Sequence, residues 1–541
     1  MSVAVSAMIM RADHPHRSDW RRLCLLWMDG IEDGWAIPLL IAGFVAIWMM
    51  FLAIAYVGGD LHQDVLETWT LGRSLDWGSS KHPPLMAWAA RAWTSIFPLT
   101  NWSFQLLALT NSAIGLWFVD RIARQFVRGD KRLIVLLLLM LMPVYQLHAQ
   151  RFNANAVLLS TWPLATFCFL RAFETRAASW AIATGATAAL AMLGKYYSIF
   201  LIGSFVLVAI CHPQRRAYLT SPAPWIAMAT GILALLPHIH WLATTGAQPF
   251  AYAMEHHSGK AFGPALAEAI GFILAIGALV AIPALIWLAV ARPQLRQIRN
   301  DVGNLNAGPL LIAIIGLGTV ALPALTSAVV GTDMPPLWGL QGLFLFVILI
   351  VCGASYSVPR PQTANLAATA IGVALFAALV VAPLHAFYRN YQPLHEGRNF
   401  YRGAVAELTQ QWHVQSEMPL PVVGGDEGLA FAAAFYSDDH PHYETRLVNP
   451  HIRQLTDISS FENGWAVLCY DTDDVCISGL EQAAALTSYA IRSRFALQST
   501  LVGQPGASQG FVALIVPPAV EAPNREVKKS SSQMSEANMR L

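Results

Sequence analysis

Asp60, Asp64 and Glu67 stand four and three residues apart in DLHQDVLE, and Lys81-His82 stands directly before Pro83-Pro84. A carboxylate can take the proton of a hydroxyl nucleophile, and lysine or arginine can stabilise a departing phosphate. Over a helix from 60 to 71 the three acids share one face; like charges in such a row repel, so the face is either solvated or used. Arg73 and Asp76 follow, and the two prolines fix φ and favour an extended run. That run either holds Lys81 and His82 in a defined place or is a rigid entry to the next helix. Lys195 is the second feature. The apolar stretch 177–193 before it is about 25 Å long as a helix, short of the roughly 30 Å of a bilayer core. Lys195 and Tyr196 therefore sit slightly below a membrane surface, in reach of an anionic lipid headgroup, though an ordinary snorkelling lysine fits equally. The third feature is PHIHWLATTGAQPFAYAMEHHSGKAFG, with His238, His240, Glu255, His256, His257 and Lys260. Adjacent histidines invite a metal, but no cysteine or ligand spacing accompanies them, and a hydrogen-bonding loop is the better reading.

The elements that must position these residues are membrane helices. Of the 541 residues, 55% are hydrophobic and 12% charged, about half the charged share of a soluble protein, and mean hydropathy is +0.46. The 18 Trp and 25 Phe suit an interfacial belt. Lys and Arg (34) balance Asp and Glu (33), which gives no reason to expect a nucleic-acid partner. Apolar runs predict spans near 37–57, 102–119, 132–148, 155–172, 178–194, 196–211, 223–243, 264–290, 308–330, 338–354 and 365–387, about eleven in all. With the N-terminus inside, most of the basic residues between spans fall in inside loops, among them Arg121, Arg124, Arg128, Lys131, Arg132, Arg215 and Arg216. The first apolar run lacks a small-residue cleavage site and reads as an anchor.

This divides the chain into four parts. Residues 1–36 form a cytoplasmic segment with an interfacial helix, and 37–387 a transmembrane domain whose first outer loop is 58–101. Residues 388–520 form an outer α+β domain, with strand-like LPVVGG, GWAVLCYD and GFVALIVPP and helix-like GAVAELTQQW and GLEQAAALTSYAI. Residues 521–541 read as a disordered tail. Cys469 and Cys476 lie in the outer domain, where an oxidising compartment would permit a disulfide. The span centres are nearly empty of ionisable groups, which disfavours a proton-coupled transporter and moves the chemistry to the outer surface.

The run DLHQDVLETWTLGRSLDWGSSKHPPLMAW resembles the first outside loop of GT-C fold glycosyltransferases that use polyprenyl-phosphate sugars. That group includes dolichyl-phosphate-mannose–protein mannosyltransferases, aminoarabinose transferases and rhizobial galacturonosyltransferases. FNANAVLLSTWPLATFCFLRAFE, ALAMLGKYYSIFL and LPHIHWLATTGAQPFAYAMEH continue the similarity in order, over roughly 35–345. The resemblance implies a GT-C fold and sugar transfer from a polyprenyl-phosphate donor to lipid A, another glycolipid or a protein, at a bacterial inner membrane with 388–520 periplasmic. It makes Asp64 the catalytic carboxylate, with Glu67 or Asp60 assisting, because Val65 stands where the group has its second acid. Lys195 becomes the donor-phosphate ligand, with Lys81 and Arg73 helping. His82, Tyr196, Asn155 and His240 line the cavity, Asn155 standing where many members have Asp. No metal ligands are assigned, and dependence on a divalent metal stays open. A transporter or flippase of lipid-linked sugars is the alternative; it leaves the acidic loop unexplained, and no inverted repeat supports it. A non-catalytic binding component and a ligase using a diphosphate donor are further rivals, the latter needing more outer arginines than the chain has.

Overall fold

The structure is a computed structural model that describes residues 19–292, 295–392, 398–444, 447, 461–487 and 489–518. The predicted tail at 521–541 lies outside the described residues, as do the side chains of His256 and His257. All eleven predicted spans fall on helix. Among the described residues six helices are long and apolar enough to cross a membrane: Ala36–Ala55, Asn101–Ala123, Ala223–Thr244, Phe262–Ala291, Ala307–Val330 and Arg360–Tyr391. A seventh crossing is the pair Asp130–Met140 and Pro143–Gln150 if its 67° bend is one broken span. Pro143 accounts for the break, since proline has no amide to continue the helix and clashes with the preceding turn. Ala178–Gly194, Tyr196–Cys211 and Pro336–Cys352 are apolar but shorter. The expected eleven crossings therefore exceed what helix length alone supports.

Two compact units divide the chain. One comprises Met1–Met50, Asp76–Met86 and Leu106–Ala377; the other comprises Phe51–Leu75, Ala87–Gln105 and Ala378–Leu541. In the first, Ala178–Gly194 packs against Leu158–Thr175 and Ala223–Thr244. Its sequence ASWAIATGATAALAMLG supplies the small residues that let helix backbones approach closely without a hydrophobic driving force. A Cβ on Gly185 would stand 2.2 Å from the Ala227 carbonyl oxygen. The buried Arg132 donates to both oxygens of Asp120 at 3.0 and 2.8 Å, which neutralises a charge that burial would otherwise make costly.

The second unit holds a five-stranded sheet of order β2-β1-β3-β5-β4, with β1 Val422–Gly425, β2 His442–Tyr443, β3 Trp465–Tyr470, β4 Ile491–Leu501 and β5 Gln504–Val516. The first three strands pair in parallel, and β5 joins β3 and β4 antiparallel. Central β3, WAVLCY, is buried along nearly its whole length, as a strand covered on both faces must be. Edge strand β4 instead alternates between half-buried and exposed residues. Helices Tyr401–Gln415, Glu427–Tyr436 and Asp474–Ala485 complete the α+β region. Gly425, at φ 114°, makes the turn out of β1 where a Cβ would stand 2.1 Å from the Leu468 oxygen. Cys469 and Cys476 form a disulfide that ties β3 to the helix after it.

Two helical readings need correction. The run GLEQAAALTSYAI is helical only to Ala485, and its last residue, Ile491, opens β4, whose ladder with β5 claims the backbone. The predicted helix 60–71 begins at Gln63, so Asp60 is not one turn before Asp64 on the same face. Two bonds hold Asp60 outside the helix: its N–H donates to the Arg398 carbonyl at 2.6 Å, and its carboxylate accepts from the Arg402 N–H at 3.1 Å.

Candidate active site

The acidic residues belong to the second unit. His62 caps helix Gln63–Gly72 by accepting the Asp64 N–H on Nδ1 at 3.2 Å, satisfying one donor of the open first turn. A nitrogen used that way has no proton for the Asp64 carboxylate 3.4 Å away. Asp64 is thus fixed in backbone by the first turn, while its side chain is 37% exposed and open to solvent. Asp60 is the opposite case. It is 4% exposed, and the Arg402 guanidinium lies 3.6 Å from its carboxylate. Burial pushes its pKa up to about 6, with Arg402 pulling against that shift.

Around it residues 56–101 and 398–436 are stitched together. Arg398 donates to the Asp60 carbonyl and the Tyr56 hydroxyl, Tyr436 OH accepts from the Leu61 N–H at 2.9 Å, and Tyr436 OH donates to Asn101 at 2.9 Å. Helix Gln63–Gly72 packs on Glu427–Tyr436, with Trp69 edge-on to Phe435 at 5.5 Å. Burial raises the Tyr443 pKa, and the Glu427 and Glu67 carboxylates, each close to its hydroxyl, add to that shift. Arg73 is tethered by donation to the Pro441 carbonyl at 2.9 Å.

Lys81, His82 and Lys195 belong to the first unit. Helix Ala178–Gly194 ends at Lys195, whose extended backbone (φ −163°, ψ 137°) breaks the chain before the short 3-10 turn Tyr196–Ser198. The break has packing reasons. A Cβ on Gly194 would touch Val157 and Leu158 at 3.1 Å, and Ser198 bonds both Trp162 Nε1 and the Ala191 carbonyl. At this corner the Lys195 ammonium donates to Asn155 Oδ1 and lies 4.2 Å from the centre of the Trp338 ring. The aromatic face attracts the cation through its quadrupole and helps fix its direction.

Asn155 is itself set by Asn153, whose Oδ1 accepts the N–H groups of residues 155 and 156 at 3.0 and 2.9 Å. Tyr196 OH meets His238 Nε2 at 3.0 Å, and its ring stacks on Phe250. Ser79 closes a turn with His82, and Lys81 lies 5.8 Å over the Tyr252 ring. Lys260 pairs with Glu268 and, at 2.5 Å, with Asp333, which raises its pKa. Among the described residues no three His, Cys, Asp or Glu side chains gather as a metal shell.

The structure therefore joins Lys195 to Asn155, and Asp64 to His62. Within the His238-Ile239-His240 run it buries His238 and exposes His240, since residues two apart point to nearly opposite sides of a helix. Sequence reasoning missed His238, Trp338, Arg398 and Arg402 as part of these constellations. Only His238 carried a signal, as the histidine inside a quoted motif.

Apolar helices long enough to cross a membrane, an α+β C-terminal region and a lysine at a helix break describe an integral membrane protein, and the similarities to known proteins are to membrane glycosyltransferases. Residues 81–241 match the family model described as dolichyl-phosphate-mannose-protein mannosyltransferase. The lipid A galacturonosyltransferase RgtD of Rhizobium johnstonii is 23% identical over 205 residues, which are 38% of this chain and 42% of that protein. The chain thus spans less than half the length of that relative. The crystal structure of ArnT from Cupriavidus metallidurans bound to undecaprenyl phosphate superposes with TM-score 0.57 at 13% identity, covering 89% of this chain and 98% of that one. Its apo state superposes with the same values. At that identity the likeness establishes the fold.

Proposed function

We propose that this protein transfers a sugar from a polyprenyl-phosphate donor to a hydroxyl of an envelope acceptor, a glycolipid such as lipid A or a protein, on the outer face of the inner membrane. The observation that carries the reading is the Lys195 corner, an ammonium aimed by Asn155 and the Trp338 face at the end of an apolar helix. Such a group suits the phosphate of a lipid whose tail stays in the bilayer. The names of the relatives support the choice, since one is a lipid A galacturonosyltransferase and another was crystallised with undecaprenyl phosphate.

In this mechanism the Asp64 carboxylate takes the proton of the acceptor hydroxyl as general base. The acceptor oxygen attacks the anomeric carbon while the bond from that carbon to the phosphate oxygen breaks. The polyprenyl phosphate leaves with the bonding electrons, and Lys195, with Lys81, stabilises the charge it gains. A single displacement inverts the anomeric configuration. Glu67 assists from the same helix, and Asp60, buried under Arg402, anchors the loop. No role in this step is given to a metal.

The test is transfer in proteoliposomes from extracted polyprenyl-phosphate sugars to an envelope lipid fraction. Wild type is expected to transfer with inversion, and Asp64→Asn to lose about 10³-fold in rate, within the range for a removed general base. Lipid-linked sugar crossing the bilayer without transfer would overturn the reading in favour of a transporter.

A further inference from the structure

His238 sits 3% exposed near the end of helix Ala223–Thr244 and is bonded on both ring nitrogens. Its Nδ1 lies 2.6 Å from the Trp77 carbonyl oxygen and its Nε2 lies 3.0 Å from the Tyr196 hydroxyl. A carbonyl oxygen can only accept, so Nδ1 carries the proton and a neutral ring accepts the Tyr196 proton on Nε2. The imidazole thereby joins two segments distant in sequence. One end holds Tyr196, the residue next to Lys195; the other holds Trp77, four residues before Lys81.

The surroundings leave the ring little freedom. Trp241 stacks on it at 5.7 Å, and a Cβ on Gly78 would stand 2.6 Å from the Trp241 ring. The Ser79–His82 turn then carries the constraint forward, with the His82 N–H donating to Ser79 Oγ at 3.0 Å and the Ser79 N–H to the His82 carbonyl at 2.9 Å.

We propose that His238 is the positioning residue that sets the spacing between Lys81 and Lys195, so that both ammonium groups meet one polyprenyl phosphate. This rests on the donor-binding reading above and deepens it. His238 touches no reacting atom in this account; it acts through Trp77 and Tyr196.

The experiment measures binding of undecaprenyl phosphate to the full chain in detergent, for wild type, His238→Gln, Lys81→Ala and the double variant. A glutamine amide can reach the Nε2 position and keep the Tyr196 contact, but it leaves the Trp77 carbonyl unbonded. Each single variant is expected to weaken binding about tenfold, the equivalent of 1.4 kcal/mol. The double variant is expected to bind about as weakly as either single, because a Lys81 no longer held in place contributes little to be lost.

His212→Asn is the structural control. This buried histidine bonds the Ala307 carbonyl at 3.0 Å, and its loss is expected to lower the unfolding temperature without changing binding. The inference is overturned if His238→Gln binds like wild type, if the double variant multiplies to about a hundredfold, or if His212→Asn weakens binding as much. Failure of wild type itself to bind would refute the donor reading and the inference with it, and is a different result from equal binding by all variants.

Discussion

Residues 60–75 and 76–86 are consecutive in the chain, yet they are held down by different parts of the molecule. The first stretch belongs with the C-terminal region: Arg398 and Arg402 hold Asp60, Tyr436 holds the Leu61 amide, and the Pro441 carbonyl holds Arg73. The second belongs with the apolar helices, where His238 holds the Trp77 carbonyl and Tyr252 underlies Lys81. Asp60 and Arg73 are therefore held by a polar network, and Trp77 and Lys81 by the side chains of His238 and Tyr252. Each half of the stretch 60–86 borrows rigidity from a different scaffold. Asp60 and Asp64, four residues apart, sharpen the lesson: the first is buried and spent on arginine, the second is capped in backbone and exposed in side chain.

The largest effect outside Asp64 is expected on the basic side. Lys195→Ala should slow transfer by about 10² to 10³-fold, as removal of one preorganised charge stabiliser does, with Asp64 untouched and the fold intact by circular dichroism. An equal rate would separate the Lys195 corner from the chemistry and undo that half of the comparison.

The acidic side gives a pH signature. The Asp60 pKa is raised from 3.8 to about 6 on folding, so the folded state holds a proton that the unfolded state has lost between those values. Stability from this group is therefore highest below about pH 4, falls as pH rises through 6, and is then lower by on the order of 3 kcal/mol. Asp60→Asn keeps an oxygen for the Arg402 N–H and removes the ionisation. Unfolding temperature measured from pH 4 to 8 should decline less with pH in the variant than in wild type, and parallel profiles would contradict the assignment.

Two smaller effects follow within the second unit. The Cys469–Cys476 bridge spans seven residues of separation, and closing so short a loop stabilises by about 2.5 kcal/mol on the chain-entropy account. Reduction should lower the unfolding temperature by a corresponding amount, read by thermal melts with and without dithiothreitol. Gly72→Ala would set its Cβ 2.6 Å from the Ala87 carbonyl oxygen, and such overpacking costs about 1–3 kcal/mol. A denaturant midpoint unchanged by Gly72→Ala would show that helices Gln63–Gly72 and Leu85–Thr94 are less tightly packed than drawn.

Much of this was legible in the sequence because hydropathy acts locally: all eleven apolar runs are helical, and Lys195 stands at the break between two of them. Strands β1 and β3 were visible as apolar runs after turn residues. What escaped were features decided by distant partners. The start of helix Gln63–Gly72 depends on Arg398 and Arg402, more than 300 residues away, and no periodicity near Asp60 records them. Strand β4 alternates polar and apolar residues under a weak turn signal, and pairing with β5 alone makes it a strand. His238 and His240 look alike in a motif, and only the packing of their helix separates a buried ring from an exposed one.

The central claim is that Asp64 is the base and Asp60 an anchor. The direct measurement is the initial rate of sugar transfer by Asp60→Asn and Asp64→Asn side by side in proteoliposomes, with folding checked by size exclusion. The account predicts that Asp60→Asn keeps a rate within a few-fold of wild type while Asp64→Asn loses about 10³-fold. Loss in Asp60→Asn with full activity in Asp64→Asn would contradict it.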